Sequence, residues 1–167
     1  LGEGRFGFGV ADVSGKGIKS SLLMSKASSL YRCLSKTIFS AAELLNILND
    51  EICETASRGM FVTMVIGIYD SNKKELLISN AGHEPPLIFS KGENFSNLEE
   101  AGPPLGIAPK FKFTEKLVSF KESSMYIFTD GITEMKDTKG EMLGQEGFQN
   151  YIKKYQSASN SQRLGKI

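Results

Sequence analysis

The stretch Met60 to Tyr69 limits the architecture of this chain more than any other. It is rich in Val, Ile, Phe and Thr, carries no charged residue and is apolar on both faces. An extended segment of that kind must be covered above and below, which predicts a central strand inside a layered domain. It is far too short to cross a bilayer as a helix. Asp70-Ser71-Asn72-Lys73 reads as a turn, and Lys74 to Ala81 as the partner strand of a hairpin.

Upstream the hydrophobic period changes. From Ile18 to Phe39, apolar residues fall at Leu23, Ala27, Leu30/Tyr31, Leu34 and Ile38, the spacing of one helical face. Ser40-Ala41-Ala42-Glu43 is a capping-box sequence and predicts a second helix starting at Ser40. Its stripe is Leu44, Leu45, Leu48, Ile52 and Ala56, and Gly59 lies at or just past its end. A short connection makes the two an antiparallel pair. Before them, Arg5 to Ala11 alternates Phe6, Phe8 and Val10 with Gly7, Gly9 and Ala11, as a strand does. After the hairpin come a tight corner (Gly82 to Pro86), a short strand (Leu87-Ile88-Phe89), and a polar exposed hairpin loop with ragged pairing (Ser90 to Glu100). A proline-rich loop (Ala101 to Pro109) and strands at Phe111–Phe120 and Ser124–Thr129 follow, the last ended by Asp130-Gly131. Gly144 to Tyr155 suggests an amphipathic helix using Phe148, Tyr151 and Ile152. Hairpin-connected strands around an inserted helical pair give an α+β class. Residues 1–155 are expected to form one domain and 156–167 a weakly patterned tail.

Bulk properties narrow the function. A length of 167 residues allows one domain with a sizeable core. A formal net charge of +1 gives no field for holding nucleic acid or an anionic membrane surface. Cys33 and Cys53 fall in helical patterns and are expected as buried small hydrophobes in a reducing compartment, which points to the cytoplasm. With no Cys-x-x-Cys and a single histidine, His83, a His/Cys zinc site is ruled out and a Ser-His-Asp triad could use only His83.

The chemistry concentrates at two acids. Asp12 and Asp130 each follow an apolar strand and each precede a turn. If their strands are sheet neighbours, the carboxylates emerge together and repel unless a cation lies between them. Mg²⁺ or Mn²⁺ suits such oxygen ligands, and a pair of these ions can prepare water for in-line attack on phosphorus. The plainer alternative is that Asp12 caps the following helix and Asp130 fixes a β-turn. Gly15-Lys16-Gly17 is not a P-loop: Gly9 is too far from Gly15, and Gly17 stands where Ser or Thr is required. Lys16 is either a solvated lysine or an attractor of phosphate beside the metals. Asn80-Ala81-Gly82-His83 reads as a turn with a hydrogen-bonded histidine or, less simply, as a substrate or proton-relay group. Met24, Met60 and Met64 read as core.

Five blocks, taken in order, resemble a known family. They are Gly9-Val-Ala-Asp12-Val-Ser-Gly-Lys-Gly17, Met60-Phe-Val-Thr-Met64, Asn80-Ala-Gly-His-Glu-Pro-Pro86, Gly102-Pro-Pro-Leu-Gly-Ile107 and Phe128-Thr-Asp-Gly-Ile-Thr-Glu134. Together they are similar to the SpoIIE/RsbU-like branch of PPM-type protein phosphatases. The resemblance implies an α-β-β-α sandwich of two antiparallel sheets flanked by helical pairs. It also implies hydrolysis of phosphoserine or phosphothreonine by water activated on two Mn²⁺ or Mg²⁺ ions, with no covalent phosphoenzyme. By the same resemblance Asp12 bridges the metals, the Val13 carbonyl adds a ligand and Asp130 holds one metal; Gly15, Lys16, Gly17 and His83 are, from their own setting, the candidate substrate contacts. The implied substrate is a phosphorylated anti-sigma-factor antagonist in a bacterial partner-switching pathway, under an upstream sensor or regulatory domain. Two departures matter. The family's acidic strand before Arg5 and its final Asp-Asp-x-Thr-like strand have no match here, so the domain is expected to be truncated at both ends, with a metal ligand and a sheet edge outside it. The rival from another class is a pseudophosphatase that docks a phosphoprotein without hydrolysing it.

Overall fold

A computed structural model describes residues 2–56, 59–90, 94–97, 102–156 and residue 162. Seven strands and four helices are described: β1 (Arg5–Val13), α1 (Ile18–Leu34), α2 (Ala41–Thr55), β2 (Val62–Asp70), β3 (Glu75–Ala81), β4 (Leu87–Ser90), β5 (Asn94–Asn97), β6 (Lys116–Ser119), β7 (Ser123–Tyr126), α3 (Asp130–Thr133) and α4 (Gly144–Lys154). The strands form two antiparallel sheets, ordered β1-β2-β3-β6 and β5-β4-β7.

Three apolar clusters separate four layers. Alternate residues of β2 point to opposite faces. Val62, Met64 and Ile66 pack with Leu23, Ala27, Leu44, Leu45, Leu48 and Ile52 of α1 and α2. Val65 joins Leu76, Ile78 and Ile88 between the sheets, with Phe8, Val10 and Met125. On the outer face of the second sheet, Leu87 and Phe89 meet Phe128, Phe148 and Ile152. The result is the α-β-β-α sandwich anticipated from the sequence, with β2 as the covered central strand.

The helix signals hold with adjustments. Ser40 caps α2, its Oγ accepting the Glu43 N–H at 3.1 Å. Glu115 adds to this cap, accepting from Ser40 Oγ at 2.9 Å and from the Ala42 N–H at 3.1 Å. Lys26 of α1 reaches α2 by donating to the Glu51 carbonyl at 2.9 Å and to Thr55 Oγ1. The stripe ending at Ile38 extends beyond the helix, which stops at Leu34. Cys33 is exposed and Cys53 half-buried, so neither is the buried small hydrophobe expected.

Three readings need correcting in the second half. Phe111 to Glu115 is not strand, because side chains of neighbouring elements take its backbone groups. The Phe113 N–H donates to Asn46 Oδ1 at 2.8 Å, and the Thr114 carbonyl accepts from Ser79 Oγ at 2.6 Å. Asn49, fully buried in α2, holds the same loop by donating to the Ala108 carbonyl and accepting from the Gly106 N–H. The polar loop after Ser90 contains a regular strand, since β5 pairs with β4 over four residues; positions 91–93 and 98–100 lie outside the described residues. Asp130-Gly131 does not simply end a strand but opens the one-turn helix α3. Most of the 156–167 tail also lies outside the described residues.

Gly67 shows how closely the first sheet is packed. Its register partner is Phe8, and a Cβ at position 67 would lie 2.1 Å from the Phe8 ring. A methyl there forces the ring out of the inter-sheet core. We expect Gly67→Ala to cost about 1–3 kcal/mol in urea unfolding, as overpacked cores do; wild-type stability would contradict the packing described.

Candidate metal centre

Asp12 and Asp130 are not on neighbouring strands. Asp12 is the penultimate residue of β1, paired with Thr63, at the edge of the first sheet. Asp130 follows β7, at the edge of the second. What relates them is the stacking of the two sheets and not strand pairing, and each acts by its charge on the His83 ring. Asp12 shares the inter-sheet side of β1 with Phe8 and Val10, by strand alternation.

The plainer roles for these acids are not what the fold uses. The N-cap of α1 is Gly17, without a side-chain cap, so Asp12 does not cap it. Asp12 Oδ1 accepts only the adjacent Val13 N–H, at 2.9 Å, among the described contacts. Asp130 stands in the first turn of α3, where its carbonyl accepts from the Glu134 N–H at 2.8 Å and from Thr133 Oγ1 at 3.1 Å. Both carboxylates are exposed.

The loop between β1 and α1 is pinned from below. Ser14 donates its N–H to the Phe61 carbonyl at 2.9 Å and accepts the Phe61 N–H on Oγ at 2.8 Å. Buried Ser20 donates to the Ser14 carbonyl at 3.1 Å. Gly15 and Gly17 have φ of +77° and +91°, in the region glycine tolerates best. Nothing lies within 4 Å of where a Gly17 Cβ would stand, and Lys16 is exposed. This face of the loop is open to an incoming anion.

His83 is the hydrogen-bonded histidine of a turn, the simpler of the two readings of its sequence. It is 5% exposed, closed off from solvent rather than presented to a substrate. The residue sits in the crossover from β3 in the first sheet to β4 in the second. Asn80 fixes the corner: its Oδ1 accepts the His83 N–H at 2.9 Å and its Nδ2 donates to the His83 carbonyl at 3.0 Å. Gly82, at φ +66°, packs against Pro104, where a Cβ would stand 2.7 Å away. Within this corner His83 Nδ1 lies 3.0 Å from Thr63 Oγ1. Burial lowers the ring's pKa, opposed by the charges of Asp12 and Glu84, the Phe128 carbonyl and the charge of Asp130. Both candidate metal acids therefore act on one buried ring. Thr63 was not singled out in the sequence, although it is the one polar interruption of the apolar run before Tyr69.

The donors fit a hard divalent cation in kind: two exposed carboxylates, with the Val13 carbonyl beside one of them. In number they are few. Among the described residues no group of three or more His, Cys, Asp or Glu converges on a metal position. An ion there would complete its shell with water or with ligands from elsewhere, as Mg²⁺ commonly does. An apolar cavity of about 650 Å³ is a separate feature; it runs between β1, β7 and α4 and is lined by none of Asp12, His83 and Asp130.

The lowered His83 pKa has a sign in stability. The unfolded ring takes a proton near pH 6.5 while the folded one resists it, so its contribution is complete above that pH and is lost as pH falls below it. Urea midpoints of wild type should fall relative to His83→Gln as pH drops below about 6.5. A constant difference between the two proteins would contradict a neutral buried ring.

Comparison with known proteins agrees with this architecture. The chain is 29% identical over 160 residues to the phosphoserine phosphatase RsbU of Bacillus subtilis, covering 95% of the chain and 48% of RsbU. It superposes on the RsbU and RsbW domains of Rv1364c from Mycobacterium tuberculosis with a TM-score of 0.76 at 22% identity, covering 97% of this chain and 46% of that one. RsbX, crystallised in complex with magnesium, gives a TM-score of 0.68 at 15% identity, over 95% of this chain and 77% of that one. The chain thus spans about half the length of RsbU. The family model for Stage II sporulation protein E (SpoIIE) matches residues 2–166, and the chain belongs to that SpoIIE family.

Proposed function

We propose that this domain is a metal-dependent protein serine/threonine phosphatase whose site is organised by Asp12 and Asp130. The observation that carries the reading is that two exposed carboxylates, one on edge strand β1 of the first sheet and one just past edge strand β7 of the second, both act on buried His83 in a SpoIIE-family chain. Like charges brought to one end of a fold cost stability unless a cation offsets them, and neither acid has a structural role that requires it there.

In this reading Asp12, the Val13 carbonyl and Asp130 hold Mn²⁺ or Mg²⁺. Such an ion supplies Lewis-acid stabilisation of the phosphoryl oxygens and activates water for attack. The chain's own part is to place and receive. Ser14 and Ser20 fix the loop that follows Asp12, and Gly15 and Gly17 keep its surface free of side chains so that a phosphate can approach the backbone. Lys16 supplies an exposed positive charge beside that approach. RsbU is named a phosphoserine phosphatase, which supports a phosphoserine protein as the substrate class. We take a phosphorylated anti-sigma-factor antagonist as the substrate and an upstream sensor domain as the controller. Residues 1–155 form the phosphatase domain in this proposal, acting in the cytoplasm. No helix among the described residues is long and apolar enough to cross a membrane.

The test is phosphate release from a phosphoserine protein by the full-length chain, with and without Mn²⁺. Asp12→Asn and Asp130→Asn should each lower the rate by about 100-fold or more, since a lost ligand removes several kcal/mol of charge stabilisation. Activity indifferent to chelation, or retained in both variants, contradicts the mechanism. Phosphoprotein binding without any release identifies a pseudophosphatase instead.

A further inference from the structure

His83 is a buried titratable group with unfinished bonding. Its Nδ1 lies 3.0 Å from Thr63 Oγ1, whereas Nε2 is buried without a hydrogen bond of good geometry among the described residues. The Phe128 carbonyl acts on the ring as an acceptor. With the ring proton on Nδ1, the Thr63 hydroxyl accepts it at 3.0 Å and donates to the Asp12 carbonyl at 3.4 Å; with the proton on Nε2, Nδ1 accepts the Thr63 proton. We take the second arrangement. The opposite tautomer would leave a bare acceptor nitrogen buried against a carbonyl, which costs free energy without compensation.

We infer that His83 is a positioning residue, a neutral strut wedged between the two sheets that sets how far the Asp12 strand stands from Asp130. The ring bears on the two halves of the site. Nδ1 reaches Thr63, which is the register partner of Asp12 across β1 and β2. Nε2 is left without a hydrogen bond among the described residues, and the Phe128 carbonyl, two residues before Asp130, acts on the ring. No backbone ladder joins β1 to β7, so their spacing is left to the packing between the sheets, to which a buried side chain in the crossover adds a polar link. Asn80 holds the crossover rigid with two hydrogen bonds to the His83 backbone, which keeps the strut from swinging out. Metal ligands tolerate small errors in placement, and partners that orient them typically matter by 10–100-fold in affinity. The ring itself is no ligand and touches no substrate; it acts through the strands that carry the acids.

This inference rests on the proposed metal site, so the readout is Mn²⁺ affinity rather than turnover. Mn²⁺ is titrated into the full-length wild type and its His83→Phe, His83→Gln and Thr63→Val variants, each checked for cooperative unfolding. His83→Phe should weaken Mn²⁺ binding by about 10-fold or more, and His83→Gln, which keeps polar atoms at this position, by less. Thr63→Val tests the same link in a volume-conserving way if His83→Phe fails to fold, and it should also weaken binding. Imidazole ¹⁵N shifts of wild type should show a neutral ring protonated on Nε2. Unchanged Mn²⁺ affinity in folded His83→Phe or Thr63→Val, or a proton on Nδ1, overturns the strut while leaving the metal reading intact. A wild type that does not bind Mn²⁺ overturns the metal reading and the strut with it.

Discussion

The face-to-face packing of the two sheets is the constraint on which everything else depends. Val65, Leu76 and Ile78 from one sheet meet Ile88 from the other, with Phe8, Val10 and Met125 filling the seam. Removing this apolar surface from water is the main stabilising term for such a layer, at roughly 25 cal/mol per Å². It also determines the site. β1 and β7 share no hydrogen bonds, so only the stacking of their sheets brings Asp12 and Asp130 to one end of the molecule.

Much of this was legible in the sequence because hydrophobic period reports burial. The two-faced apolar run at Met60–Tyr69 could only be a covered strand, and the stripe from Leu44 to Ile52 could only be a helix against it. Where the sequence reading failed, tertiary hydrogen bonds had displaced local preference. Phe111 to Glu115 alternates as a strand does, yet Asn46, Ser79 and the α2 N-terminus capture its backbone and its glutamate. At the start of α2, too, Glu115, distant in sequence, adds a tertiary contact to the Ser40 cap.

The site was legible in part for a physical reason. Acids at strand ends stand out locally, so Asp12 and Asp130 could be singled out without knowing the topology. Their relation could not, because it arises across two sheets and not along one. His83 was visible as a lone histidine, but its burial depends on the crossover between the sheets and on the Pro104 loop closing over Gly82. Thr63 has a role only through its register with Asp12, and register is set by the whole hairpin.

The central claim is that the Asp12 loop and the Asp130 turn share one metal site although they belong to different sheets. Substoichiometric Mn²⁺ added to the ¹⁵N-labelled protein tests it directly, since the ion broadens the amide signals nearest to it. The account predicts simultaneous loss of the amide signals of residues 12–17 and 129–131, with those of Ile52 to Thr55 in α2 preserved. Broadening of one loop without the other, or none in either, would contradict it.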